Sequence, residues 1–160
     1  MILKLILIWC CVAMAALFAA GSAVSLATAV RPAHHHFAAG ESIPGLKPLL
    51  HGRAFNVLLF GRDSCGACEK SAPFLRMLQT AVTERADAEL LVFSVGSSWE
   101  PLPGLHSIRT LSPGMVHDLN ITVVPTILMV DGRSVVVGSQ QGVPTLQEER
   151  RLVDLAKGGR

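Results

Sequence analysis

Two cysteines, Cys65 and Cys68, are separated by two residues in the stretch "SCGAC". An apolar run ends shortly before them, and a pattern with helical spacing follows them. Only the thiolate form of cysteine is a strong nucleophile, and the unpaired N–H groups at a helix N-terminus favour that anion. We therefore expect Cys65 to attack a substrate sulfur and Cys68, one helical turn later, to resolve the mixed disulfide. The spacing predicts a redox-active disulfide.

This cysteine pair has two alternative interpretations. A single C-x-x-C can be half of a zinc site, although no second Cys or His pair stands at a suitable spacing in the sequence. It can also be a structural disulfide, although a loop with two intervening residues constrains the unfolded chain very little. The other two cysteines, Cys10 and Cys11, lie in an apolar stretch and are expected to act as small hydrophobic residues.

The elements that would position the cysteines can be read from the apolar pattern. Residues 54–60, "AFNVLLF", form an almost continuous apolar run, which predicts a strand buried on both faces. A second run of this kind occupies residues 89–95. Between them lies a predicted helix with four apolar positions at helical spacing: Phe74, Leu75, Leu78 and Val82. Strand, helix and strand in this order predict a right-handed parallel βαβ unit.

The sequence pattern after residue 95 predicts a loop, a short helix, a hairpin and a final helix. Residues 96–109 show no period and are interpreted as a loop. Ser112 is predicted to cap the short helix, with Pro113 at its first position. "TILMV" and "SVVVG" flank "DGR" and predict a β-hairpin. The final helix is predicted to bury one apolar face, which carries Leu146, Leu152, Val153 and Leu155.

The N-terminal region has the pattern of an export signal. Residues 5–30 carry no charge, and the small residues at 27–29 match the rule for signal-peptidase cleavage. A retained membrane anchor is the alternative, because the uncharged stretch is long enough to cross a bilayer. We predict a signal peptide or anchor at 1–29, a linker and approach segment at 30–52, and a folded domain at 53–160. Three adjacent histidines, His34, His35 and His36, fall in that linker.

Length and charge restrict the classes of protein that the chain can belong to. With 160 residues, the chain can form one compact domain with a real core. Its formal net charge is +2, and 16% of its residues are charged. No stretch combines clustered lysines and arginines with interleaved aromatic residues, so a nucleic-acid partner is not expected.

Several of these features together resemble the thioredoxin-fold thiol-disulfide oxidoreductases. The motifs are "CGAC" after a buried strand, Pro73 five residues beyond Cys68, and "VPT" followed by the hairpin, Gly142 and the last helix. The resemblance covers about residues 54–156. It implies an α/β thioredoxin-like fold with a central mixed β-sheet flanked by helices. In this chain an N-terminal hydrophobic helix would precede that fold.

The resemblance also implies roles for particular residues. It implies a cis peptide bond between Val124 and Pro125, with the Val124 backbone offering strand-like hydrogen bonds to an extended substrate. Gly66 and Ala67, between the cysteines, would contact substrate and tune the redox preference. The implied cofactor is the Cys65–Cys68 disulfide alone, with no metal or organic group.

The implied partners are protein thiols or disulfides and a redox partner protein. The expected location is periplasmic or otherwise extracytoplasmic. The chain would either be cleaved after about Ala29 or stay tethered to the inner membrane through residues 5–25.

The chain departs from thioredoxins proper at two positions near the motif. Leu59 replaces a buried acid in the preceding strand, and Ser64 replaces a tryptophan just before the first cysteine. Neither Asp63 nor Glu69 is assigned as a substitute base. Trp99 is expected either to pack in the interior or to contribute to a docking surface.

A second hypothesis from another functional class uses the same cysteines as metal ligands. Thiolates suit copper(I), so the protein could be a copper chaperone or assembly factor. Its further ligands would come from the histidines at 34–36 or from His117.

Overall fold

The computed structural model describes residues 35–96, 99 and 108–159. The predicted signal peptide or anchor, its hydrophobic helix, Cys10, Cys11 and His34 lie outside these residues. Within the described ranges, no helix combines the length and apolar character needed to cross a membrane.

Five strands form one mixed sheet, with helices on both sides. In chain order the elements are a 3₁₀ helix Pro44–Leu49, β1 Phe55–Gly61, α1 Gly66–Lys70, α2 Ala72–Thr83, β2 Ala88–Val95, β3 Ile108–Leu111, α3 Pro113–Asp118, β4 Thr126–Asp131, β5 Val136–Gln141 and α4 Leu146–Ala156. The spatial order of the strands is β3-β2-β1-β4-β5, in which β1 runs parallel to β2 and antiparallel to β4. The parallel pairing of the predicted βαβ unit, the short helix, the hairpin and the final helix are confirmed.

The central strand β1 is buried along its whole length because the chain packs on both faces of the sheet. Val57 and Leu59 point to the cluster formed with α2 and α4, and Leu58 and Phe60 point to the opposite cluster. Alternation of side chains across a strand requires this division. All four apolar positions predicted for the helix after β1 are buried in α2. The apolar core therefore holds the C-terminal end of β1, where the cysteines follow, in a fixed place.

Part of the predicted linker packs against the domain. Phe37, Leu46 and Leu49 are buried in the core cluster, and Ser42 forms a β-bridge with Val135. The compact part of the chain thus includes residues upstream of 53, where the sequence suggested an approach segment. A 3₁₀ helix with prolines at its first position and in its interior leaves no 3.6-residue period to detect.

Two local predictions require correction. Of the predicted loop at 96–109, residues 97, 98 and 100–107 lie outside the described residues, but Ile108 and Arg109 belong to β3. This is a four-residue edge strand whose exposed Arg109 and Thr110 break the apolar pattern. Leu146 was expected on the buried face of α4, but it is 73% exposed. At about 100° per residue, it lies about 120° around the helix from the buried Leu152.

The hairpin between β4 and β5 carries a strained serine. Ser134 has φ +66°, is buried, and its hydroxyl has no hydrogen-bond partner within the described part of the chain. Glycine accepts this conformation without a Cβ penalty, and its introduction removes the unpaired hydroxyl. We expect Ser134→Gly to raise the free energy of unfolding by about 1 kcal/mol, measured by urea denaturation.

The matched control is Ser134→Ala, which removes the hydroxyl but keeps the Cβ. Its free energy of unfolding should rise less than that of the glycine variant, because its backbone stays strained. A glycine variant less stable than the parent would contradict this account of the turn.

Helix α4 begins with a capping box. Thr145 Oγ1 accepts the Glu148 N–H, and the Glu148 carboxylate accepts the Thr145 N–H at 2.7 Å. This backbone bond, followed by the Thr145 hydroxyl, lowers the pKa of Glu148 from its usual 4.5. A lowered folded pKa means that the stabilisation is complete above 4.5 and is lost as pH falls through the folded value.

We expect Thr145→Ala to cost about 1 kcal/mol of unfolding free energy at neutral pH. The cost should shrink at an acid pH well below 4.5, once the pH has fallen through the lowered pKa of Glu148 and its charge is lost. Urea denaturation at both pH values measures the difference. Glu149→Gln is the control, because it removes the same charge one position later. A Thr145→Ala cost that is the same at both pH values would contradict the contribution of the carboxylate.

Candidate active site

The two cysteines lie at the connection between strand β1 and helix α1, at the start of that helix. The chain leaves β1 at Gly61 and turns through Ser64, whose φ is +55°. Cys65 is the N-cap residue of α1, and its sulfur accepts the Cys68 N–H at 3.1 Å. The two residues form a disulfide with a Cα–Cα distance of 5.2 Å. The N–H group aimed at the Cys65 sulfur would stabilise a thiolate there once the disulfide is reduced.

The two sulfur-bearing residues differ in exposure. Cys65 is 8% exposed and Cys68 is 2% exposed. Both belong to the buried cluster beneath α2. A partner can therefore approach Cys65 more readily than Cys68, which is the asymmetry that an attacking and a resolving thiol require.

A break in the helix follows the cysteines. Ser71 ends α1 and begins α2, with its N–H bonded to the carbonyls of Ala67 and Cys68. Its hydroxyl also donates to the Ala67 carbonyl at 2.9 Å. Pro73 lies in the first turn of α2, where its missing N–H is tolerated. These bonds fix α1, and with it the cysteine pair, at the end of the longer helix.

The loop before β4 brings a second segment to the cysteines. The Val124 carbonyl oxygen lies 3.8 Å from the Cys65 sulfur, although 59 positions separate them in the chain. The peptide bond between Val124 and Pro125 is cis. The Pro125 carbonyl accepts the Gly142 N–H at 2.8 Å, which ties this loop to the end of β5. The fold thus places Val124 beside the Cys65 sulfur.

The two residues between the cysteines face different environments. Gly66 is exposed, and a Cβ built on it would meet no atom within 4 Å. Ala67 is half-buried and packs against the core cluster. The surface beside Cys65 is therefore open at Gly66.

A cleft of about 300 Å³ opens beside the disulfide. Its lining consists of Asp63, Ser64, Cys65, Cys68, Glu69, Ala72 and Trp99. Both carboxylate-bearing residues of this lining are exposed. The core position below, Leu59, is 1% exposed and apolar. The buried cluster that contains Cys68 thus holds a leucine at the position where thioredoxins proper carry an acid.

The sequence pattern leaves the position of Trp99 undecided and does not single out Gly61. Trp99 is 8% exposed, packs in the same cluster as both cysteines, and lies on Gly61. The available signal was the glycine itself, because glycine at the end of a buried strand often marks a close approach of another group.

The described residues do not assemble a metal centre from the expected ligands. Among them, no group of three or more His, Cys, Asp or Glu side chains could hold a metal ion. The His117 side chain is 90% exposed and lies next to Asp118. His35 is hydrogen-bonded to Glu41 at 2.9 Å. This arrangement does not favour the copper-chaperone hypothesis.

Several solved structures share the architecture described above. One is the thioredoxin domain of a thiol-disulfide oxidoreductase from Bacteroides vulgatus, with 14% identity and a TM-score of 0.57 over 76% of this chain and 99% of that one. The chain has a thioredoxin-like fold. A protein from Chlorobium tepidum assigned as thiol:disulfide interchange protein DsbE has 14% identity and a TM-score of 0.59, covering 77% of this chain and all of that one.

A third similar structure is a secreted disulfide oxidoreductase from Mycobacterium tuberculosis. It has 13% identity and a TM-score of 0.52, covering 69% of this chain and 85% of that one. The sequence matches no protein-family model and no curated protein.

Proposed function

We propose that this protein is an exported thiol-disulfide oxidoreductase that exchanges disulfides with protein substrates. The observation that carries the proposal is the geometry of the cysteine pair. Cys65 caps a helix, its sulfur accepts a hydrogen bond from the Cys68 N–H, and it lies beside the carbonyl of Val124. The pair is thus placed so that one sulfur can be approached from outside and the other lies directly behind it.

The reducing direction takes two steps. The Cys65 thiolate attacks one sulfur of a substrate disulfide, forming a mixed disulfide and releasing the other substrate sulfur as a thiolate, which takes up a proton. Cys68 then loses its proton and attacks the Cys65 sulfur. The Cys65–Cys68 bond forms, the mixed disulfide breaks, and the substrate leaves with both sulfurs reduced. Two electrons have moved from the protein to the substrate, and the oxidising direction reverses both steps.

The loop at Val124 and the exposed face at Gly66 provide the proposed substrate surface. An extended substrate segment can pair with the Val124 backbone as an added strand. Ala67 supports this surface from below, since it packs on the core. Pro125 is buried and holds the loop next to Cys65. A redox partner protein would restore the dithiol or the disulfide after each cycle by the same exchange chemistry.

Export is proposed from the N-terminal sequence pattern and is supported by a structural neighbour. The uncharged stretch at 5–30 fits a signal peptide or an anchor. One of the similar structures is a secreted disulfide oxidoreductase.

The proposal is tested by titrating the full chain with glutathione redox buffers and trapping free thiols on Cys65 and Cys68. We expect a reversible two-electron transition. A reduction potential near ~−270 mV would assign a reductase, and one near ~−120 mV an oxidant of substrate proteins. If the pair forms no disulfide reversibly at any glutathione ratio, the proposed function is wrong.

A further inference from the structure

The indole ring of Trp99 lies directly on the backbone of Gly61. A Cβ placed on Gly61 would overlap three atoms of the six-membered ring of that indole. Gly61 is the last residue of β1, so this contact sits at the point where the chain leaves the sheet towards the cysteines. Any side chain at this position would displace the ring. The glycine and the tryptophan are therefore matched to each other.

The same tryptophan lines the cleft that contains the cysteines. Trp99, Cys65 and Cys68 all line this cleft. They also belong to one buried cluster, in which Trp99 is 8% exposed and Cys68 is 2% exposed. Trp99 follows β2 in the chain, whereas the cysteines follow β1. A residue from outside the motif thus completes the surroundings of the resolving cysteine.

We propose that Trp99 is a positioning residue that acts through Cys68: seated on Gly61, its indole keeps water and reagents away from the resolving thiol. An apolar wall disfavours a buried thiolate, so Cys68 stays neutral while Cys65 reacts with the incoming disulfide. The role of Cys68 as the resolving thiol rests on the function proposed above. Its shielding by Trp99 is a property of the fold and can be measured separately.

The experiment measures the reactivity of Cys68 in the full chain carrying Cys65→Ser. Iodoacetamide labelling is followed by mass spectrometry on the Cys68 peptide, so Cys10 and Cys11 do not contribute. We expect Trp99→Ala to raise the labelling rate about tenfold, because a shielded thiol reacts only when its cover opens. Trp99→Phe keeps an apolar ring over Gly61 and should stay close to the parent rate.

Gly61→Ala provides a complementary test that retains the tryptophan. Its methyl group occupies the place of the ring, so Cys68 labelling should accelerate in the Trp99 background. In the Trp99→Ala background the same methyl meets no ring and should have little effect. Such non-additivity identifies a direct coupling between the two positions. Equal effects of Gly61→Ala in both backgrounds would show that it distorts the strand and would overturn the proposal.

A second readout uses the intact cysteine pair. Trp99→Ala should shift the equilibrium with glutathione about tenfold towards the reduced form, since admitted water solvates the thiol and thiolate of that form better than the disulfide. Trp99→Phe should restore the parent equilibrium. A variant that loses stability but leaves both Cys68 labelling and this equilibrium unchanged would overturn the positioning role. Failure of reversible exchange in the parent protein would remove the oxidoreductase assignment, while the labelling result would still decide the shielding.

Discussion

The Cys65→Ser variant is expected to lose disulfide exchange with a protein substrate by at least about a thousandfold, because a serine hydroxyl is not ionised near neutral pH and does not attack sulfur. The structure favours Cys65 as the first nucleophile because it is the more exposed of the pair and its sulfur accepts a backbone N–H. The measurement is the rate at which the reduced protein cleaves a model protein disulfide, with the products separated on a non-reducing gel.

Cys68→Ser is the matched control, since it removes the other sulfur from the same short helix. This variant keeps the first step, so it should accumulate a mixed disulfide between Cys65 and the substrate, visible as a higher-mass band that disappears on reduction. The reverse pattern, with a trapped complex in Cys65→Ser and none in Cys68→Ser, would exchange the roles of the two residues. Equal residual activity in both variants would contradict the two-step mechanism.

The strand-helix-strand unit around the cysteines was predictable because its signal is local. A strand covered on both faces must be apolar at every position, and residues 54–60 nearly are. The helix that follows shows its buried face at a regular spacing, which Phe74 and Leu78 illustrate. The position of Cys65 at a helix N-terminus follows directly from these two patterns.

Features that depend on distant contacts were not predictable in this way. The 3.8 Å approach of Val124 to Cys65 could be anticipated only from the resemblance to a known family, since no spacing rule connects positions so far apart. Phe37 and Leu49 are buried without any periodic pattern around them. The contact between Gly61 and Trp99 joins two segments whose pairing is set by the tertiary fold alone.

Leu59→Asp should have the largest effect on stability of the changes considered. Leu59 is 1% exposed and belongs to the cluster that contains both cysteines. A carboxylate at this position would be buried among apolar side chains, so we expect the free energy of unfolding to fall by about 3 kcal/mol or more near neutral pH. Burial raises the pKa of such a carboxyl group, and the loss should therefore diminish as the pH falls below the raised value.

Leu59→Asn is the matched control because it buries a polar group of the same size that does not ionise. The difference in unfolding free energy between the two variants should be large at about pH 8 and become small at about pH 5. Urea denaturation at both pH values would measure it. A pH-independent difference would mean that the introduced carboxyl group reaches water.

The same pair of variants tests what the missing acid means for the chemistry. A carboxylate near Cys68 can accept the proton that the resolving thiol must lose before it attacks Cys65. If that step limits turnover, the Asp variant should reduce a protein disulfide about tenfold faster than the Asn variant, despite its lower stability. Equal rates would show that Cys68 already passes its proton to another acceptor. The first candidates for this acceptor are the cleft residues Asp63 and Glu69, which would be tested by replacing each with its amide. Leu59 would then be a packing residue, and the slow step would lie in the approach of the substrate to Cys65.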